Sequence, residues 1–267
     1  MTIDTGSQLR GLYEKEGGVA GVFSRRVADY VSSRPDYPDA LFEMLKLTCG
    51  LGHGSVVADI GAGTGLLTHG LLLHGYSVVA VEPNQAMREA ADHLLAALPN
   101  YSSADGSAER IPLEPSSVDI VTAAHAFHWF EVEAAKRECL RVLRPTGQVA
   151  LIWNDRLRSD PFHQSLDAVL SEYGGVKRSA LVAHEERGDI PTFFGKSHPS
   201  EYAWPHQQTV TEDGLLSLAF SRSYMPPRDS AEGREVVSNL HTLYAQFAKA
   251  NGVTVPYTTV AYVGRPN

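Results

Sequence analysis

VADIGAGTGLL, residues 57–67, joins a short apolar run to an apolar helical pattern through three glycines at alternate positions. An apolar run that ends in this way predicts a buried parallel strand followed at once by a helix. Glycine tolerates positive φ and has no side chain, so a ligand can lie against bare main chain there. The helix directs its free N–H groups towards the same place. The stretch therefore predicts a strand–turn–helix unit with a ligand site at its turn.

The spacing of Gly61, Gly63 and Gly65 is Gly-x-Gly-x-Gly, and the next apolar run ends in Glu82. Nicotinamide and flavin folds instead use Gly-x-Gly-x-x-Gly, which disfavours nicotinamide oxidoreduction. An acid at the tip of the neighbouring strand is placed to accept both hydroxyls of a ribose. Asp59, just before the glycines, is placed to accept from an ammonium group or to orient the loop; alternatively it only holds the turn. Two strands, a glycine turn and an acid predict an adenosine site.

DIGAGTG (59–65) and VEP (81–83) resemble the class I S-adenosylmethionine-dependent methyltransferases. The resemblance is strong over about residues 20–155 and looser beyond, and it extends through ADGSAE (104–109), AFHWF (126–130) and RVLRPTG (141–147). It points to the small-molecule branch related to trans-aconitate and ubiquinone-type methyltransferases, with a type 11 methyltransferase domain. It implies a Rossmann-like, doubly wound, mostly parallel seven-stranded α/β sheet with an antiparallel last strand. The implied cofactor is S-adenosyl-L-methionine, with S-adenosyl-L-homocysteine as product.

The same resemblance implies a set of cofactor-binding residues in the glycine turn, the strand tips, the adenine loop and an N-terminal element that folds over the cofactor. They are Tyr30, Arg34, Asp59, Gly61, Ala62, Gly63, Thr64, Gly65, Glu82, Pro83, Met87, Ser107, Ala108, Glu109, Ala123 and Phe127. Arg34 is placed to meet the methionine carboxylate, with a surface salt bridge as the alternative. Met87 either touches the adenine or packs in the core. Either Ser107 or Asp105 is expected to accept from the adenine amine.

The predicted strand Val118–Ala124 runs into His125 and the aromatic group 127–130. Open α/β sheets bind ligands beyond the carboxyl ends of their strands, and aromatic faces there attract a sulfonium cation. His128 and His125 are the candidate catalytic residues, as a base or as a hydrogen bond that orients the acceptor. The alternative is that they only close the loop. The residues expected on the acceptor side are His128, Trp129, Arg222, Tyr224, Tyr244 and His241.

Composition narrows the function classes. The chain has 267 residues, 43% hydrophobic content and a net charge of −8, which argues against a nucleic-acid partner. Two cysteines and 11 scattered histidines show no metal-ligand spacing, so no metal is expected. No signal pattern and no membrane-length apolar run is recognisable, which predicts a cytoplasmic protein without membrane contact. The partners expected are a small-molecule acceptor and, at most, a second copy: a monomer or homodimer.

The organisation expected is a flexible arm over residues 1–22 and a single domain over 23–267, with an acceptor-side, lid-like insertion at about 155–210. Asp39, Asn84 and Ser230 are expected to cap helices. The two consecutive glycines Gly174 and Gly175 are expected to end another of the predicted helices.

The sequence thus predicts methyl transfer to O or N of a small polar or aromatic metabolite by in-line displacement. Two alternatives stay open. One is C-methylation of a quinone-like ring, and the other is a cofactor-binding module without turnover.

Overall fold

The computed structural model describes residues 11–14, 18, 21, 24, 26–184 and 187–267. Its core is one sheet of seven strands in which short, buried apolar runs form the central members. The strands are β1 (Val56–Ile60), β2 (Ser77–Val81), β3 (Tyr101–Ala104), β4 (Val118–Ala124), β5 (Leu143–Arg156), β6 (Ser200–Val210) and β7 (Val253–Gly264). Their order across the sheet is β3-β2-β1-β4-β5-β7-β6.

The predicted fold class is confirmed. Strands β3, β2, β1, β4 and β5 run parallel, whereas β7 is antiparallel to both β5 and β6. The chain order reverses between β1 and β4, which places a ligand crevice outside the carboxyl ends of these strands. This crevice lies at the end of β1 where the glycine turn begins.

Helices cover both faces of the sheet and one end of the molecule. They are α1 (Val27–Ser33), α2 (Asp39–Cys49), α3 (Leu66–Leu73), α4 (Gln85–Leu95), α5 (Val132–Val142), α6 (Pro161–His184), α7 (Ile190–Phe194), α8 (Glu212–Phe220) and α9 (Ala231–Phe247), with a 3₁₀ turn at Phe127–Trp129. Leu41 and Leu45 of α2 pack with Leu71 of α3 on one face. Phe127 and Phe193 belong to the core on the other face. A third cluster joins α6, α8, α9 and the start of β7.

Two of the three predicted caps are confirmed. The Asn84 side chain accepts from the backbone N–H of Met87, and that of Ser230 accepts from the N–H of Gly233. The prediction for Asp39 was wrong, because Asp39 is already the first helical residue. Pro38, the residue at the cap position, makes no side-chain cap hydrogen bond.

The segment 155–210 differs in part from the expected lid. Its last eleven residues form β6, which pairs along its whole length with β7 and so belongs to the sheet. Gly175 takes φ 53° and ψ −149°, a non-helical conformation that divides α6 into two helical stretches, so the first stretch ends at the glycine pair as predicted. The arm expected over residues 1–22 falls mostly outside the described residues and stays a prediction.

The N-terminal element is fastened to the C-terminal part of the chain. Arg26 donates from Nη1 to the carbonyl of Phe220 at 2.5 Å and from Nη2 to that of Met225 at 2.6 Å. The Asn154 side chain donates to the carbonyl of Asp36 at 2.9 Å. These contacts hold α1 and the residues after it beside the carboxyl ends of β4 and β5.

Candidate functional site

The glycine turn leaves main chain bare where it faces a cavity. Gly63 has φ +58°, and a Cβ built on it would meet no atom within 4 Å. Gly61 has φ +67°, and a Cβ there would lie 2.6 Å from the Cβ of Ala126. Gly61 is therefore required for packing, whereas Gly63 leaves open space that a ligand can use.

The Glu82 carboxylate lies at this turn. Its Oε2 accepts from the backbone N–H of Gly63 at 2.9 Å, and its Oε1 accepts from that of Asn84 at 2.8 Å. Burial raises the pKa of Glu82, and these two hydrogen bonds together with the charge of Arg88 oppose the rise. The side chain is thus a fixed acceptor at the tip of β2, directly beside bare main chain.

A cavity of about 220 Å³ opens over this turn. Nine of its lining residues were predicted to bind the cofactor, namely Tyr30, Gly61, Gly63, Glu82, Pro83, Met87, Ser107, Ala108 and Glu109. Ser107 lies on the cavity wall, whereas Asp105 is 69% exposed and ion-paired with Arg88 at 3.5 Å. Of the two residues expected at the adenine amine, the structure brings Ser107 to the cavity.

Asp59 does not line this cavity. It is fully buried, and its carboxylate accepts from Thr68 Oγ1 at 2.7 Å and from Thr122 Oγ1 at 2.9 Å. Burial raises its pKa to about 6, although both hydroxyls lower it. These hydrogen bonds link β1 to α3 and to β4. Asp59 therefore stabilises the turn and does not reach a ligand, which is the alternative given in the sequence analysis.

Other predicted cofactor residues also lie outside the cavity lining. Ala62, Thr64 and Gly65 continue the turn into α3, with Thr64 buried and Gly65 at the helix N-cap. Ala123 and Phe127 point into the core, where Phe127 packs edge-on against Phe130, Trp153 and Phe193. Successive residues of a strand face opposite sides. Ala124 and, beyond the strand, Ala126 line the cavity in place of Ala123 and Phe127.

A second, larger cavity of about 680 Å³ adjoins the first. Seven residues predicted at the site line it, namely Tyr30, Arg34, His125, His128, Trp129, Arg222 and Tyr224. Tyr244 and His241 do not line it. The exposed ring of His241 contacts Glu212 at 2.6 Å, and Tyr244 packs against the cluster of α6, α8 and α9. α9 therefore supports the cavity from behind and contributes no wall.

Tyr30, His125 and Trp129 line both cavities. The guanidinium of Arg34 lies 4.7 Å from the centroid of the Tyr30 ring, on the side of the larger cavity. The aromatic rings of Tyr30 and Trp129 therefore lie where the two cavities meet.

His125 cannot serve readily as a base. Its Nε2 accepts from the backbone N–H of Asn154 at 2.8 Å, so the ring proton is on Nδ1 and the lone pair is occupied. Burial lowers its pKa to about 3, and the neighbouring charges of Arg34, Arg187 and Arg222 act in the same direction. The neutral ring links the end of β4 to β5. The other predicted catalytic histidine, His128, lines the larger cavity.

The comparisons with known proteins agree with this geometry. Residues 58–151 match the family model described as a methyltransferase domain. An uncharacterized methyltransferase of Mycobacterium tuberculosis (strain H37Rv) is 34% identical over 241 residues, which cover 89% of this chain and 93% of that protein. The chain belongs to the class I S-adenosylmethionine-dependent methyltransferases.

Two solved structures share the fold of this methyltransferase. One is a candidate type II methyltransferase from Anaeromyxobacter dehalogenans, with TM-score 0.64 and 24% identity over 88% of this chain and 99% of that one. The other is phosphoethanolamine N-methyltransferase 2 from Haemonchus contortus in complex with S-adenosyl-L-methionine. It has TM-score 0.52 and 16% identity, over 97% of this chain and 60% of that one.

The methyltransferase has wall residues that sequence reasoning missed. Ala126 and Phe130 line the smaller cavity, and Arg156, Arg178 and Tyr257 line the larger one. Arg156 ends β5, so the rule that ligands bind at carboxyl ends of parallel strands was a usable signal for it. In the described part of the chain, no helix has the length and apolarity to span a bilayer. No group of three metal-binding side chains occurs in those same residues.

Proposed function

We propose that this methyltransferase binds S-adenosyl-L-methionine with its adenosine in the smaller cavity and methylates O or N of a small molecule in the larger one. The observation that carries the proposal is the meeting of the two cavities at Tyr30, His125 and Trp129, with Gly63 and Glu82 on the far wall of the smaller cavity. A related fold has been solved with this cofactor bound.

The wall of the smaller cavity fits a nucleoside. The open space over Gly63 accepts a sugar against main chain, and Glu82 offers carboxylate oxygens to its hydroxyls. Ser107 and Ala108 supply a hydroxyl and a backbone N–H for the base edge. Arg34 is the residue that we assign to the methionine carboxylate, because its buried Nε has no hydrogen-bond partner.

When bound, the cofactor would supply a sulfonium methyl group for transfer to O or N of the acceptor, which would leave S-adenosyl-L-homocysteine, and an acceptor atom that carries a proton would lose it. The protein positions the reactants and excludes water. The rings of Tyr30 and Trp129 offer π-faces to a cation at the junction. His128 is the residue that we assign to orienting the acceptor or taking its proton.

A matched pair of glycine variants tests the cofactor site by calorimetric titration with S-adenosylhomocysteine. Gly63 and Gly50 both have positive φ, at +58° and +65°, and both have open space at Cβ, but only Gly63 lines the smaller cavity. Gly63→Ala and Gly50→Ala should lose similar stability, about 1 kcal/mol each. Gly63→Ala should also bind the ligand at least tenfold more weakly, whereas Gly50→Ala should match wild type. Equal affinities for all three proteins would refute the placement.

Turnover is tested with methyl-labelled S-adenosylmethionine and cell extracts. A labelled small product would support the enzyme, whereas tight binding of S-adenosylhomocysteine with no such product in any extract would favour the non-enzymatic alternative. The quinone alternative calls for an apolar tunnel. The larger cavity is instead lined by several arginines, which favours a polar acceptor.

A further inference from the structure

Among the described residues, cationic side chains outnumber anionic ones on the wall of the larger cavity. The whole chain carries −8, yet six arginines and two aspartates line this cavity, and the described part of the chain adds no lysine or glutamate to its wall. The arginines are Arg34, Arg156, Arg158, Arg178, Arg187 and Arg222. A cleft lined by one sign of charge and walled by protein concentrates ligands of the opposite sign.

The two aspartates of this wall are already engaged by arginines. One oxygen of Asp167, Oδ1, accepts from Arg156 at 3.0 Å and from Arg178 at 2.6 Å, so one carboxylate serves two guanidinium groups. Asp155 is ion-paired with Arg187. Neither aspartate is ion-paired with Arg222 in the described part of the chain.

Arg222 is the most enclosed cation of the set. It is only 9% exposed, its Nη1 donates to the carbonyl of Leu218, and it has no ion-pair partner within the described part of the chain. Burial lowers the pKa of Arg222 to about 10, and the charges of Arg156 and Arg34 add to this effect. Buried guanidinium groups are normally paired with an anion, since an unpaired charge is costly away from water.

Unused donors occur at other arginines of the same wall. The Nε atoms of Arg34, Arg178 and Arg187 are buried and have no hydrogen-bond partner. Guanidinium groups bind carboxylates and phosphates through paired N–H donors. The cavity therefore offers more cationic donors than the protein itself uses.

We propose that Arg222, together with Arg178, binds an anionic group of the acceptor, so that the substrates are small carboxylates or phosphates. This inference rests on the proposed function, because it takes the larger cavity as the acceptor site. Arg34 is kept for the methionine carboxylate. Two anions, one from the cofactor and one from the acceptor, then occupy different arginines.

The test is a calorimetric titration of the protein saturated with S-adenosylhomocysteine. Succinate is compared with its neutral isostere succinamide, and phenyl phosphate with phenol, so that the two arms separate carboxylate from phosphate. Wild type should bind at least one anion about tenfold or more tightly than its neutral counterpart, the range expected for hydrogen bonds to charged groups. Arg222→Met should reduce that preference to about twofold or less.

The control is Arg265→Met. Arg265 also donates to main-chain carbonyls, those of Arg144 and Gly147, but it lines neither cavity, so the preference should stay intact. Arg222→Lys keeps the charge without the paired donors and should keep part of the preference. If Arg222→Met does not fold, the anion preferences of Arg178→Met and Arg222→Lys are compared with that of wild type instead.

Three results would overturn the inference. They are no anion preference in wild type, an undiminished preference in Arg222→Met, or a loss of S-adenosylhomocysteine affinity in Arg222→Met with the anion preference retained. The last would mean that Arg222 serves the cofactor. Failure of wild type to bind S-adenosylhomocysteine at all would instead refute the proposed function, so the two failures are distinguishable.

Discussion

Asp59 and Glu82 both end buried parallel strands, yet they have different tasks. The Asp59 carboxylate is used by two threonine hydroxyls inside the fold, whereas Glu82 accepts from main chain on the cavity wall. Strand position alone made the two acids look alike. Which one can reach a ligand depends on partners from α3 and β4 that local sequence does not reveal.

We therefore expect Glu82→Gln to weaken binding of S-adenosylhomocysteine about tenfold or more. An amide is a poorer acceptor than a carboxylate, and one of its two terminal groups can only donate. Asp59→Asn should leave this affinity within about twofold, since Asp59 lines neither cavity. Calorimetric dissociation constants of both variants measure the contrast. A larger loss in Asp59→Asn than in Glu82→Gln would contradict the assignment.

His125 gives a prediction about stability and pH. Its pKa is about 3 in the folded protein against 6.5 for an ordinary histidine. Between these values the unfolded chain binds a proton that the folded chain does not, so the free energy of unfolding falls as the pH falls through this window. Above it, this contribution is constant.

His125→Asn removes that titration, and asparagine tolerates the positive φ of +52° at this position. The variant should be less stable than wild type at about pH 7.5, and the difference should shrink towards about pH 4.5. Urea unfolding at several pH values measures it. His93→Asn, which removes an exposed histidine of α4, is the control and should run parallel to wild type. A pH-independent difference for His125→Asn would count against the low pKa.

At the scale of elements, α8 and α9 begin in the same way. Thr211 Oγ1 accepts from the N–H of Gly214, and Ser230 Oγ accepts from that of Gly233. A Cβ at Gly214 would lie 3.3 Å from the Thr211 hydroxyl, whereas one at Gly233 would lie 2.1 Å from the carbonyl oxygen of Pro227. The first contact is with a side chain, and the second is with backbone.

Gly233→Ala should consequently destabilise the protein by about 1–3 kcal/mol, because backbone must move to admit the methyl group. Gly214→Ala should be close to neutral, since alanine is the better helix former by about 1 kcal/mol, which offsets the tight contact. Denaturant unfolding of the pair gives both values. Equal losses of unfolding free energy in the two variants would contradict this prediction, because they would show that the backbone before α9 shifts at little cost.

The central parallel strands were predictable because β1, β2 and β4 are largely apolar runs. β1 and β4 lie at the predicted residues, and the Asn84 and Ser230 caps follow from local chemistry. The region after β5 was harder. A second helical stretch of α6 follows Gly175 and reaches His184, and Ile190–Phe194 forms α7, whose Ile190, Phe193 and Phe194 are buried in the core against distant elements.

For the whole molecule, most of the wall of the smaller cavity was predicted from the sequence, but only part of the wall of the larger one. The glycine turn and Glu82 lie within one βαβ unit, so their spacing encodes their proximity. The arginines of the larger cavity come from the end of α1, from β5, from α6 and from the segment after α8. Their convergence depends on long-range topology, which no local spacing expresses.

Arg26 joins the N-terminal element to the segment around residues 220–225 at this site. Its two bonds, to the carbonyls of Phe220 and Met225, hold α1 where Tyr30 reaches both cavities. Losing them should let the N-terminal element open locally while the sheet stays folded. A ligand that needs the closed form binds more weakly in proportion to the closed fraction.

Arg26→Met should accordingly weaken S-adenosylhomocysteine binding by roughly fivefold and increase hydrogen exchange over residues 27–37, with β1 and β4 unchanged. Arg234→Met is the matched control, because Arg234 donates to the carbonyl of Asp229 on the exposed side of α9. Calorimetry and exchange mass spectrometry on the same preparations give the two readouts. If affinity fell without faster exchange in this element, the effect of Arg26 would be electrostatic and the fastening role would be wrong.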